Sequence, residues 1–154
     1  MGLTTAELEQ LYRDRYRSFL RVAIALLHDT DRAHDAVQEA FARSLSSQRS
    51  YRGEGGLEAW VYSTLLNVCR DTLRRGEPPS EQLCANGRAD PHPELRAAIA
   101  GLPKRQRLAI FLRYYADLDY DAIAVALSVE RGTVAASLHA AHARLRSTLK
   151  EVVQ

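Results

Sequence analysis

The stretch Leu102–Arg146, LPKRQRLAIFLRYYADLDYDAIAVALSVERGTVAASLHAAHARLR, decides how the rest of the chain is read. It opens on Leu102-Pro103, and proline is tolerated in a first helical turn because its missing N–H has no intrahelical partner there. Leu108, Phe111, Leu112 and Tyr115 follow at helical spacing. Asp117-Leu118-Asp119 interrupts the run and supplies a cap for a short helix with Ile123, Ala124 and Leu127 on its inner face. Val134, Leu138, Ala141 and Leu145 then make the apolar stripe of a further helix. Two helices separated by about four residues, the second long and amphipathic, form a helix-turn-helix pattern. By pattern alone, any small helical bundle would give similar stripes.

Composition bounds the remainder. A chain of 154 residues has room for one domain or two small ones, and 46% hydrophobic residues suffice for a packed core. No apolar run approaches the roughly 18 residues that span a bilayer. The first residues, MGLTTAELEQLYRDRYR, lack a signal-peptide layout, so a cytoplasmic chain without membrane partners is expected. Cys69 and Cys84 have neither metal-ligand spacing nor a disulfide framework. The formal net charge is only +2, so bulk charge does not announce a nucleic-acid protein. Charge is uneven, however: 11 Lys/Arg against 10 Asp/Glu in residues 1–75, one against three in 76–93, and nine against six in 94–154. The stretch Gly76–Glu94, GEPPSEQLCANGRADPHPE, also holds four of the five prolines. The expected architecture is all-α: a helical domain over 1–75, a flexible linker over 76–93 and a helix-turn-helix domain over 94–154.

In the first domain Thr5 is a candidate N-cap, with Leu8, Leu11, Tyr12, Phe19, Leu20, Ile24 and Leu27 on one face. Arg13, Arg15, Arg17 and Arg21 lie mostly off that face, and most of them are expected in solvent. His28-Asp29-Thr30-Asp31 stops this helix and caps the next, where Ala33, Val37, Ala40 and Phe41 point inward while Asp35, Gln38 and Glu39 reach solvent. The loop Tyr51-Arg52-Gly53-Glu54-Gly55-Gly56-Leu57 suggests a phosphate cradle, but it has no Gly-Lys-Ser/Thr and no preceding strand. A final helix runs from Glu58 to Arg75.

Two segments carry a resemblance. Leu102-Pro103, Gln106-Arg107, Leu112-Arg113-Tyr114-Tyr115, Leu118, Tyr120, Ile123-Ala124, Leu127 and Gly132-Thr133-Val134 resemble the promoter-binding C-terminal domain of extracytoplasmic-function (ECF) sigma factors, small initiation subunits of bacterial RNA polymerase. Related helix-turn-helix domains close many response regulators, so the other half must decide. There, Asp35-Ala36-Val37-Gln38-Glu39-Ala40-Phe41 resembles the segment with which ECF sigma factors grip the polymerase clamp. Ala59-Trp60, Tyr62, Asn67, Asp71 and Arg74-Arg75 fall in register with their W-L-x-x-I-A-x-N-x-x-x-D-x-x-R-R pattern. A regulator's output domain would leave residues 1–75 unexplained.

The resemblance implies core RNA polymerase and promoter DNA as partners, with an anti-sigma factor as a further candidate, and no cofactor, metal or chemistry of the chain's own. It assigns Asp35, Gln38 and Glu39 to the polymerase, and the glycine loop to capture of an unpaired base. Trp60 and Tyr62 could then stack on bases, Asn67 read an adenine-like edge, and Arg70, Arg74 and Arg75 hold phosphates or base edges beside Asp71. The plainer alternative places Trp60 in the core and pairs Asp71 with Arg74 or Arg75. His28, His34, His92, His139 and His142 are scattered singles.

The departures from the family pattern are concentrated in the reading helix. The usual turn glycine is Ser128 and the capping serine is Glu130, while basic or polar positions have become Ala135, Ala136, Ser137, Ala140 and His142. From Gly132 through Ala143 there is no Lys, Arg, Asp or Glu. Candidate −35 contacts are Arg131, Thr133, Ala135, Ser137 and His139, with Arg144 and Arg146 near the backbone. Lost phosphate and base contacts remove counterion release and about 1–3 kcal/mol of discrimination per bidentate pair. Three readings follow: a sigma factor with a weakened or altered −35 grip, ordinary divergence with a differently read promoter, or a sigma-like interaction module that engages anti-sigma factor or polymerase without reading promoters.

Overall fold

The computed structural model describes residues 2–76 and 91–153, and every regular element among them is a helix. The first module comprises α1 (Thr5–Leu27), α2 (Thr30–Ser46), a 3-10 turn (Gln48–Ser50) and α3 (Leu57–Arg74). The second comprises α4 (Pro93–Ala100), α5 (Lys104–Tyr114), α6 (Tyr120–Leu127) and α7 (Arg131–Val153). Most of the expected linker, residues 77–90, lies outside the described residues.

Local chemistry sets the helix ends. The N-cap of α1 is Thr4 rather than Thr5: its hydroxyl accepts from the Glu7 N–H at 3.2 Å while Glu7 Oε2 accepts from the Thr4 N–H at 2.8 Å. That reciprocal box needs a glutamate three residues after the cap, which only Thr4 has. His28 closes α1 in the left-handed region (φ 54°), and the buried Asp29 caps α2 by accepting from the Arg32 N–H at 3.1 Å. Asp119 caps α6 through the Ala122 N–H at 2.8 Å. Ser128 ends α6 at φ 57°, a conformation that glycine adopts freely and serine only with strain.

Phe19, Val22, Val37, Val61 and Leu65 fill the first module, and Leu112, Ile123, Val134, Leu138 and Ala141 fill the second. Buried side chains from both join one cluster, because α3 lies along α6 and α1 reaches α5. Arg15, one of the arginines off the apolar face of α1, is half-buried at this junction. Its Nε donates to Glu58 Oε1 at 2.9 Å, and its Nη2 donates to the Ala116 carbonyl at 2.7 Å. Glycine at position 55 (φ +72°) lets the loop before α3 touch α6: a Cβ there would stand 2.2 Å from Cγ2 of Val125.

Candidate polymerase and nucleic-acid interfaces

On α2 the residues Ala36, Val37 and Ala40 are buried, which turns Asp35, Gln38 and Glu39 outward on the opposite side. Asp35 and Glu39 border a shallow hollow of about 380 Å³ whose other wall is α3, through Val68, Thr72 and Arg75. Arg43 spans this hollow. It donates to Glu39 Oε1 at 2.9 Å and stands 3.6 Å from Asp71 Oδ2. Asp71 therefore pairs across to α2, not with Arg74 or Arg75 along its own helix.

The other α3 candidates divide by face. Asn67, Arg70, Arg74 and Arg75 are exposed, and no ion pair with a described residue holds the three guanidinium groups. Trp60 is half-buried and tilted against Tyr51, with ring centroids 5.2 Å apart. Tyr62 corrects the sequence reading. It is fully buried, stacked on Phe19 at 4.1 Å, so its ring offers no face to a base. Burial first, and then the Glu58 carboxylate, push its phenol pKa far up. The register that aligned it with the family pattern carried no information about the face it occupies.

On α7 the outward line runs Gly132, Ala135, Ala136, His139, Ala143, Arg146 and Lys150, all exposed. It is neutral over its first turns and cationic only near its end. Ser137 is the second correction. It is 9% exposed and lies on the packed side between Val134 and Ala141, so it cannot reach a base edge. Thr133 is half-buried. Arg131 is exposed, but Asp121 Oδ1 stands 3.3 Å from its Nη1 and the Tyr120 ring lies beneath its guanidinium. Sequence reasoning also left out Lys150, which shares a shallow surface with His139 and Arg146. Extending the outward line by one further helical repeat would have found it.

Two family models match the chain in this order, Sigma-70 region 2 over residues 11–77 and Sigma-70 region 4 over residues 92–145. The chain belongs to the ECF sigma factor family. It is 28% identical to RNA polymerase sigma factor SigV of Bacillus subtilis strain 168, over 95% of this chain and 93% of that protein. It is 29% identical to the ECF RNA polymerase sigma factor EcfG of Rhodopseudomonas palustris strain TIE-1, over 82% and 76% respectively. Its fold matches that of the sigma factor RpoE from Bartonella quintana, solved in complex with the anti-sigma factor NepR, with a TM-score of 0.73 and 21% identity over 95% of this chain and 98% of that one. This sigma factor thus directs promoter recognition and transcription initiation by RNA polymerase. No described helix is long and apolar enough to cross a membrane.

Proposed function

We propose that this sigma factor docks on core polymerase through Asp35, Gln38 and Glu39 and selects promoters mainly with α3. Asn67, Arg70, Arg74 and Arg75 supply the −10 contacts, and the exposed edge of Trp60 supplies a stacking surface. Asp71 acts indirectly, by holding Arg43 between the two helices. Residues 1–75 and 94–154 serve as the two working units, with 76–93 between them, in the cytoplasm, and the polymerase supplies all catalysis. The observation that supports this reading most is the contrast between helices. The outward guanidinium groups of α3 are unpaired among the described residues, while the first turns of α7 present glycine and alanine. The −35 grip is correspondingly weak, held by Arg131, His139 and the later cations of α7. The RpoE–NepR complex supports an anti-sigma factor as a further partner for this chain.

Run-off transcription from a promoter library, with core polymerase and the full chain, tests the reading. The expected transcripts share a −10 sequence and tolerate varied −35 sequences. Normal core binding without any promoter-dependent transcript would instead leave a sigma-like interaction module.

A further inference from the structure

We infer that the hollow between α1 and the α4–α5 corner is a binding site for a small amphipathic anion, a single-chain fatty carboxylate of medium length. Its volume is about 370 Å³, inside the roughly 300–1,000 Å³ of pockets that enclose small ligands. Ile24 of α1, Leu95 and Ile99 of α4, and Phe111 of α5 give it apolar walls, and Tyr115 stacks on Phe111 with ring centroids 5.5 Å apart. Leu95 is 36% exposed and Tyr115 40%, so two large apolar side chains are left to water in one concavity. Neither the acidic face of α2 nor the outward side of α3 contributes to the lining, which sets this site apart from the docking and promoter-reading surfaces.

The polar part of the lining has one sign. Arg21, Arg96 and Arg107 reach the hollow together with His28 and His92, and no carboxylate among the described residues lines it. Arg107 is held across the corner, its Nη1 donating to the Ala100 carbonyl at 3.1 Å. A guanidinium has five N–H donors, so others remain for a ligand. Arg21 is exposed and makes no ion pair with a described residue. Desolvation first, and then the charges of Arg107 and Arg96, lower the pKa of His28 below the ordinary histidine value. The hollow thus opposes further positive charge and favours negative charge. A carboxylate can accept two parallel N–H bonds from one guanidinium, the geometry that makes such pairs strong. The walls narrow the class further. Donors of a nucleoside or a sugar would meet Ile24, Leu95, Ile99 and Phe111 and go unsatisfied, a cost that an alkyl chain avoids.

Decanoate, titrated calorimetrically into the full chain below the concentration at which it aggregates, tests this. Saturable binding is expected, weakened about fourfold for each methylene removed from the chain. Decanol keeps the chain and lacks the charge, while inorganic phosphate keeps the charge and lacks the chain. Each should bind at least about tenfold more weakly than decanoate. Arg21→Gln should weaken decanoate binding by about tenfold. Arg17→Gln, one turn away on α1, exposed and outside the hollow, should leave it unchanged. Leu95→Ala should weaken it by an independent route, and it decides the matter if thermal melting shows Arg21→Gln to be unfolded. The absence of saturable binding overturns the inference, as do equal affinities for decanoate and either control, or equal losses in Arg17→Gln and Arg21→Gln. A concentration-dependent dimer by light scattering that Leu95→Ala abolishes would assign the hollow to a second copy of the chain and overturn it as well.

Discussion

The rings of Tyr62 and Phe19 stack with centroids 4.1 Å apart and planes 20° apart, and the Tyr62 hydroxyl is buried with no hydrogen-bond partner. A helix that turns Trp60 partly and Asn67 fully toward solvent thus turns the intervening aromatic inward, where it joins α3 to α1.

Removing that hydroxyl should do no harm. An unsatisfied buried polar group costs about 1–3 kcal/mol, so Tyr62→Phe is expected to raise stability by about 1 kcal/mol while leaving open-complex formation unchanged. Thermal melting and permanganate footprinting measure the two effects. A loss of promoter opening at unchanged melting temperature would return Tyr62 to the role of a base contact.

Reversing charge at Glu39 separates docking from folding. The pair with Arg43 is exposed, 40% and 52% for the two side chains, and such pairs contribute about 0–1 kcal/mol. Glu39→Lys should therefore leave helicity and melting nearly intact while weakening co-purification with core polymerase. Unaltered core affinity would count against the acidic face of α2 as the docking surface.

Arg74→Ala and Asn67→Ala should lower open-complex formation more than core binding, since both side chains are exposed on α3 and neither lines the hollow that Asp35 and Glu39 border. Equal losses in the two assays, with a lowered melting temperature, would mean that the helix had merely been destabilised.

Ser128 holds the left-handed end of α6 at φ 57° without the freedom of glycine. Relief of that strain by Ser128→Gly should stabilise the chain by about 1 kcal/mol, less the extra entropy glycine brings to the unfolded state. Denaturant melts of the two proteins give the sign directly. A destabilised variant would show that the serine side chain contributes more than its backbone costs.

Adjacent positions on α7 should respond in opposite ways to the same charge. Ala135→Lys with Ala136→Arg adds cations to the outward line. This should tighten −35 duplex binding by the full chain and steepen the log K against log salt slope by about 0.9 per phosphate gained. Ser137→Arg forces a guanidinium into the packed side and should lower the melting temperature instead. Tight, sequence-selective binding by the unmodified chain would remove the case for a weakened grip.

Much of this protein is legible one helix at a time. Helical period puts Val37, Ile123, Val134 and Leu138 inside, and Asp29 and Asp119 announce the helices they cap, because period and capping depend on neighbours within a few residues. The outward side of α2 and the neutral first turns of α7 are legible for the same reason. Ser137 was readable too, since it stands three residues after Val134 and four before Ala141, but a motif register placed it without regard to that stripe. What only the tertiary structure decided is what covers the remaining faces. Tyr62 meets Phe19 from a different helix, Asp71 finds Arg43 on α2 rather than an arginine of its own helix, and Arg15 reaches a carbonyl 101 residues away. No local rule pairs an arginine of α1 with a backbone oxygen beyond α5, or a glycine of a loop with Val125. Those contacts exist because α3 packs along α6, and the geometry of two helices meeting is a property of both surfaces at once.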